Sequence, residues 1–164
     1  MLTGALAASY YGRPRTTLDL DVVVAFREND MPILAKALIS AGLNVQEQRL
    51  RAAWMSEYRM ATVEDARSPH TLDIVLTQEN LQRYRGRILG VPTYYQGPES
   101  LILAKLRMIK VTLQAERAVT DREDIKAILE ITPVNLEALR KSAREQSTAG
   151  ILDELLHAKL RQGK

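Results

Sequence analysis

The stretch Leu18-Asp19-Leu20-Asp21-Val22-Val23-Val24 decides the fold. Its apolar and β-branched residues predict a β-strand, in which successive side chains point to opposite faces. Asp19 and Asp21 then share one face and lie about 7 Å apart. Such an apolar run is typical of a buried central strand. Two carboxylates in such a strand need a partner that offsets the cost of burying their charge. A Mg²⁺ ion is the simplest such partner, because it prefers carboxylate oxygens. The alternative is an edge strand whose polar face meets water.

A second strand, predicted from His70 to Leu76, carries a single acid. Its apolar side chains alternate with Asp73, which lies on the other face. If the two strands are neighbours, Asp19, Asp21 and Asp73 can converge on one or two Mg²⁺ ions that hold a nucleoside triphosphate. The third acid can also accept the proton of an attacking hydroxyl. The alternative is that Asp73 is solvated or pairs with an arginine.

Composition limits the class of protein. The chain has 164 residues, which predicts one domain, and it has no cysteine, which excludes disulfides and thiolate metal sites. No apolar run is long enough to cross a membrane, and residues 1–5 lack the basic start of a secretory signal. We therefore expect a cytoplasmic protein. The net charge of +3 and the pI near 9.3 mildly favour anionic partners such as nucleotides or RNA.

The remaining patterns predict an α+β fold with a mixed β-sheet flanked by helices and a helical C-terminal part. Residues 1–97 form the predicted α/β core, and residues 98–164 form helices that pack on it as a single structural unit. A short helix is predicted from Glu79 to Arg85. Thr120 and Glu123 have the spacing of a capping box, which predicts a helix start at Thr120.

Three residues near the first strand have two interpretations each. Gly4, near a helix N-terminus, either lets the backbone approach a phosphate or is a small residue at a frayed end. Arg15 either reaches a phosphate or neutralises Asp19 or Asp21. Thr17 either begins the strand or contacts a phosphate.

Lys105 lies on the apolar side of a helix that begins near Pro98. A lysine in such a place must extend to solvent, pair with an acid, or reach an anionic ligand. Asp124 is a candidate for that acid and also a candidate site residue. The helix dipole alone accounts for Asp121.

Several of these segments together resemble a known superfamily. Gly4, the segment Tyr11–Asp21 and then Asp73 resemble the DNA polymerase beta-like nucleotidyltransferases, in the branch related to abortive-infection toxins. Segments 97–106 and 121–125 are similar to two further segments of that branch. The branch has a Gly-Gly or Gly-Ser pair where this chain has Thr3-Gly4-Ala5, so only one glycine is present here.

The resemblance implies a Mg²⁺-dependent enzyme that moves a nucleoside monophosphate from NTP to an acceptor hydroxyl of a tRNA, a protein or a small molecule. It implies catalytic and metal-binding roles for Asp19, Asp21 and Asp73. The implied nucleotide-binding residues are Gly4, Arg15, Thr17, Lys105 and Asp124. A toxin role with an antitoxin partner, and a homodimer, are further expectations.

Two other classes of function stay open. A non-catalytic binding module on the same fold is favoured by the altered glycine motif. An RNA-binding protein would use the arginine clusters at 83–87 and 49–51, for which solvated surface charge is the ordinary explanation.

Overall fold

The computed structural model describes residues 1–162. Helices and strands alternate in the first part of the chain, four strands then follow one another, and the remaining elements are all helices. In chain order they are α1 (Gly4–Tyr11), β1 (Asp19–Ala25), α2 (Met31–Ser40), β2 (Leu43–Asn44), α3 (Glu47–Met55), β3 (Met60–Asp65), β4 (Thr71–Thr77), β5 (Arg83–Ile88), β6 (Val91–Gln96), α4 (Pro98–Val111), α5 (Ala115–Ile131), α6 (Leu136–Glu145) and α7 (Ala149–Gln162). A short 3-10 turn, Glu28–Asp30, precedes α2.

The chain divides into two compact units. The first comprises Met1–Leu6 and Thr16–Gln96, and the second comprises Ala7–Arg15 and the chain from Gly97 onward. Each is described by itself below. That residues 1–97 and 98–164 act as a single structural unit stays a prediction.

The first unit is built on a mixed sheet, as predicted. Four strands lie in the order β1-β4-β3-β2, with β1 parallel to β4 and the other pairs antiparallel. Within this four-stranded ladder β1 lies at the edge, as in the edge-strand alternative. The outer side of β1 is nevertheless occupied, because the Thr3 amide donates to the Asp21 carbonyl at 3.0 Å.

Residues 1–3 join the β5-β6 hairpin to the ladder. Leu2 bridges antiparallel to Val22 on one side and parallel to Tyr95 on the other. The Gln96 amide donates to the Leu2 carbonyl at 2.9 Å. The strands of the first unit thus run β2-β3-β4-β1, then residues 1–3, then β6-β5, as one continuous hydrogen-bonded surface.

The two faces of this surface differ in polarity. One face carries Leu72, Ile74 and Leu76 of β4, which are buried in a cluster with Leu50 and Trp54 of α3. At about 25 cal/mol per Å² of apolar area removed from water, such burial is the main stabilisation of the unit. The alternation of β4 then leaves its odd-numbered residues, including Asp73, on the opposite face.

The predicted helix over Glu79–Arg85 is wrong. Arg83 already belongs to β5, and the register pairs Tyr84 with Tyr95 across the hairpin. The buried Tyr95 holds this pairing together, and its hydroxyl donates to the Arg87 carbonyl at 3.1 Å. The secondary structure of this segment is therefore set by its pairing with β6, which itself pairs with residues 1–3, rather than by its local sequence pattern.

The second unit is helical. Its core is formed by large apolar side chains that are almost fully buried: Leu101, Ile102, Leu106, Ile125, Ile128, Leu139, Leu152 and Leu155. Asn135 caps α6, because its side-chain oxygen accepts from the Ala138 amide at 3.0 Å. The capping box at Thr120 is wrong: α5 begins at Ala115, and the Thr120 hydroxyl donates back to the Glu116 carbonyl at 3.1 Å.

Within residues 1–162 we find no helix with the length and apolar character needed to cross a membrane.

Candidate active site

The first unit places three acids on one face of two neighbouring strands. Asp21 of β1 lies directly opposite Asp73 of β4 in the parallel register, and Asp19 lies opposite Thr71. Residues paired in this way share a face, and Asp19 shares the face of Asp21 because it is two residues away. Adjacent strands are about 4.8 Å apart, so the three acids line a compact patch, which we call the acid face.

Two of these acids are held by threonine hydroxyls. The Thr62 hydroxyl of β3 donates to Asp73 Oδ1 at 2.6 Å, and the Thr71 hydroxyl donates to Asp19 Oδ1 at 2.8 Å. Among the described residues, no ion pair includes Asp19 or Asp73. Both carboxylates thus have neutral hydrogen-bond partners, which fix the side-chain rotamers without cancelling the charge.

Sequence reasoning missed both threonines. Thr62 lies opposite Asp73 in the β3-β4 register, and that register is not visible in the sequence. The alternation of β3 alone puts Thr62 on the opposite side from the buried Ala61 and Val63, which was the available signal.

Gly4 lies against Asp21 at the start of α1. Its φ of +56° is in the left-handed region, and a Cβ built there would lie 1.9 Å from Asp21 Oδ2. Only glycine allows this approach, because any side chain would displace the carboxylate. Gly4 therefore brings the backbone at the beginning of a helix next to the acid face.

The acid face has the ligand chemistry that Mg²⁺ prefers, since all three groups are hard carboxylate oxygens. As the side chains lie, no three Asp, Glu or His groups in the described part of the chain form a cluster that could hold one ion. The residue types and the shared face of the three acids fit a divalent cation.

Thr17 lies at the entry to β1. Its hydroxyl donates to the Asp19 carbonyl at 3.1 Å and accepts from the Asp19 amide at 3.3 Å. These contacts match the strand-start alternative, and a phosphate contact for Thr17 stays a prediction.

The second unit contains a buried ion network, which we call the lysine network. Lys105 Nζ lies 2.6 Å from Asp121 Oδ1 and 2.8 Å from Asp124 Oδ2. Arg15 Nε and Nη2 donate to Asp124 Oδ1 and Oδ2 at 3.1 and 3.2 Å. Lys105, Asp121 and Asp124 are only 6%, 8% and 7% exposed.

Two cations and two anions balance in the lysine network. Burying ionic groups is costly unless each is paired, and here each carboxylate contacts at least one cation. Lys105 therefore takes the acid-pairing alternative, and Arg15 pairs with Asp124. The nucleotide-binding roles of Arg15, Lys105 and Asp124 stay predictions.

Two solved structures are similar to this chain over most of its length. An antigenic nucleotidyltransferase-like protein from Paracoccidioides brasiliensis is similar in structure, with a TM-score of 0.56, 14% identity, and coverage of 96% of this chain and 84% of that one. The antibiotic-resistance factor ANT(2'')-Ia is similar with a TM-score of 0.57, 17% identity, and coverage of 96% and 86%. The chain has a nucleotidyltransferase-like fold. No protein-family model and no curated protein sequence matches the chain.

The nucleotidyltransferase-like fold confirms the predicted fold class. At identities this low, similarity of structure establishes the fold and leaves the activity to the residues of the site.

Proposed function

We propose that the protein is a Mg²⁺-dependent nucleotidyltransferase that moves a nucleoside monophosphate from NTP to an acceptor hydroxyl. The observation that carries this proposal is the acid face, where Asp21 and Asp73 lie opposite each other in register with Asp19 beside them. Three neighbouring acids, two of which have no cationic partner among the described residues, concentrate negative charge at one place, and a divalent cation would offset it.

The chemistry needs little beyond positioning and charge. The acceptor oxygen forms a bond to the α-phosphorus of the NTP. The bond from the α-phosphorus to the oxygen that bridges to the β-phosphorus breaks, and pyrophosphate leaves. Asp19, Asp21 and Asp73 would hold Mg²⁺, which supplies neutralisation of phosphate charge. Asp73 accepts the proton of the acceptor hydroxyl, and Thr62 holds the Asp73 carboxylate in one rotamer for that step.

Gly4 has a separate role in the proposal. The left-handed backbone at Gly4 leaves room for the Asp21 carboxylate at the start of α1. Backbone N–H groups at a helix start favour anions, so the same feature suits a phosphate of the NTP. The branch that this chain resembles has a Gly-Gly or Gly-Ser pair at this position. Because this chain has the single glycine Gly4, only one such close approach is available here.

The test is a measurement of Mg²⁺-dependent NTP binding and of pyrophosphate release for the wild-type protein and for Asp21→Ala. We expect binding and release by the wild type, and loss of both in the variant with no loss of folding. Incubation with each labelled NTP and a cell lysate then identifies the acceptor, since the labelled product is an RNA, a protein or a small molecule.

A catalytically degenerate binding module is the second candidate. The single glycine at Gly4 and the separate threonine partners of Asp19 and Asp73 favour it. Wild-type protein that binds no NTP in the presence of Mg²⁺ would establish this candidate over the enzyme. A toxin role with an antitoxin partner, and a homodimer, are outcomes that the lysate experiment and a mass measurement would reveal.

A further inference from the structure

The β5-β6 hairpin carries a row of arginines on a defined face. Arg83, Arg85 and Arg87 are spaced two residues apart in β5 and therefore point the same way. All three are exposed, and segment 83–96 contains no Asp or Glu. In the described part of the chain, none of the three forms an ion pair with a carboxylate.

This arginine row lies on the same side of the sheet as the acid face. Leu2 is bridged to Val22 and to Tyr95, so these three side chains share one face. Their neighbours in sequence, Asp21 and Tyr94, therefore share the opposite face. Arg85 is paired with Tyr94 in the hairpin register, which puts the arginine row on the face of Asp21.

The distance between the two features follows from the strand order. From Asp21 the surface passes through Thr3 and Gln96 to Arg83, with Gln96 paired to Arg83 and the Thr3 hydroxyl bonded to the Gln96 side chain. Three strand spacings amount to about 14 Å. The arginine row itself spans about 13 Å, since each pair of residues adds about 6.7 Å.

An aromatic ring lies beside the arginine row. The Arg83 guanidinium lies 4.5 Å from the centre of the Tyr94 ring. A depression of about 430 Å³ on the hairpin is lined by Arg85, Gly86, Arg87, Pro92, Thr93 and Tyr94. Cationic groups next to an aromatic ring are the combination by which proteins hold the backbone and the bases of single-stranded nucleic acids.

We infer that the arginine row is the docking surface for an RNA strand and that this strand is the acceptor whose terminal hydroxyl reaches the acid face. The inference deepens the proposed function by naming the acceptor class and rests on it for the transfer step. Three positive charges spread over this length match a repeated anion, whereas one compact phosphate group would meet only one or two of them. The shared face gives the strand a continuous path from the arginines to the acids.

The test is the affinity for a fluorescein-labelled single-stranded RNA of twelve nucleotides, measured by anisotropy over a range of salt concentrations without NTP. The test variant is the full chain with Arg83→Gln and Arg85→Gln. Arg87 is left in place because its Nε donates to the Gly90 carbonyl at 3.0 Å in the hairpin turn. The matched control is Arg49→Gln with Arg51→Gln on α3, where Arg51 already pairs with Glu47 at 2.7 Å.

We expect the test variant to bind RNA about tenfold or more weakly at low salt. The slope of log affinity against log salt should fall by about 1.4, since each single-strand phosphate contact contributes about 0.7. The control should change neither quantity appreciably. Restoring the charges as Arg83→Lys and Arg85→Lys should recover the slope and only part of the affinity, because lysine stacks poorly on tyrosine.

Three results would overturn the inference: no RNA binding by the wild type, equal losses in the test and control variants, or polyglutamate competing as well as unlabelled RNA, which would indicate an acidic protein partner. These outcomes are separate from the failure of the proposed function. RNA binding through the arginine row without nucleotidyl transfer would refute the enzyme alone, and transfer to a small molecule without RNA binding would refute the RNA inference alone.

Discussion

The acid face and the lysine network hold carboxylates in opposite ways. In the lysine network, Asp121 and Asp124 are buried and lie within 2.6–3.2 Å of Lys105 or Arg15. On the acid face, Asp19 and Asp73 accept hydrogen bonds from neutral threonines, and no described cation pairs with them. We infer from this difference that the paired carboxylates Asp121 and Asp124 stabilise the fold. Asp19 and Asp73, whose partners are neutral, keep a negative charge that can attract a cationic ligand.

The largest effect that would sharpen this comparison is expected at Asp21. We expect Asp21→Asn to lower nucleotidyl transfer by about 10³-fold or more, roughly 4 kcal/mol, because it removes a charge that acts on the transferred phosphate. The free energy of unfolding should change by less than about 1 kcal/mol. Pyrophosphate release and urea unfolding measure the two quantities, and Glu64→Gln on the same sheet is the control. A transfer rate that survives Asp21→Asn would contradict the assignment.

The lysine network should respond in the reverse sense. Lys105→Met leaves two buried carboxylates with one cation, so we expect a loss of about 3–5 kcal/mol in the free energy of unfolding. Lys110→Met, at the exposed end of the same helix, should cost less than about 1 kcal/mol. Denaturant unfolding of both variants makes the comparison. Equal stability of the two would show that the buried pairs contribute nothing to the fold.

Thr62 links the acid face to its scaffold. Thr62→Val keeps the shape and removes the hydroxyl that donates to Asp73. Substituting a residue that hydrogen-bonds to a metal ligand typically lowers metal affinity or activity by about 10–100-fold. We expect a loss of about that size in Mn²⁺ affinity, measured by calorimetry. Thr62→Ser should restore most of the affinity. A valine variant with unchanged Mn²⁺ affinity would leave Thr62 with a purely structural role.

Gly4 tests whether the backbone approach to Asp21 matters. Gly4→Ala places a methyl group 1.9 Å from the present position of Asp21 Oδ2 and imposes a left-handed conformation. We expect a loss of about 1–2 kcal/mol in stability, measured by thermal unfolding, together with weaker NTP binding. Gly150→Ala is the matched control, since no atom lies within 4 Å of the Cβ built there. Similar effects of the two substitutions would remove Gly4 from the site.

The smallest effect is expected at Asp65, a carboxylate with neutral donors outside the acid face. The Arg67 amide donates to it at 2.9 Å and the Ser68 hydroxyl at 2.7 Å, and these bonds lower the pKa of Asp65 below its ordinary value of 3.8. A lowered pKa stabilises the fold above pH 3.8, and that stabilisation is lost as the pH falls through the lowered pKa.

The measurement for Asp65 is the melting temperature of the wild type and of Asp65→Asn as a function of pH. The wild type should melt slightly higher near neutral pH, and the difference should shrink below pH 3.8. A difference that grows on acidification would contradict the direction of the shift.

Much of the site is visible in the sequence for a simple reason. Alternation in a strand depends only on local backbone geometry, so the pattern of Leu18–Val24 puts Asp19 and Asp21 on one side whichever strand pairs with it. The same periodicity identifies β4 and its single acid. Helix α6 is equally local in origin, because Asn135 caps it by accepting from the Ala138 amide three residues along the chain.

Other features depended on contacts that no local pattern encodes. Strand β5, which replaces the end of the helix predicted over Glu79–Arg85, follows from pairing with β6, which in turn pairs with residues 1–3. The pairing of Arg15 with Asp124 joins residues 109 positions apart. The start of α5 at Ala115 rather than Thr120 shows that a capping sequence inside a helix loses its role when the preceding turn is also helical.

By itself, the sequence determined strands β1 and β4, the side of each strand that carries its acids, and the class of fold, since these depend on periodicity and residue type. Only the tertiary structure decided which carboxylates are neutralised. It paired Lys105 and Arg15 with the acids of α5, gave the acid face threonines as partners, and placed the arginine row on the same face of the sheet. The physical reason is that electrostatic compensation depends on distance in space, and register and packing set that distance.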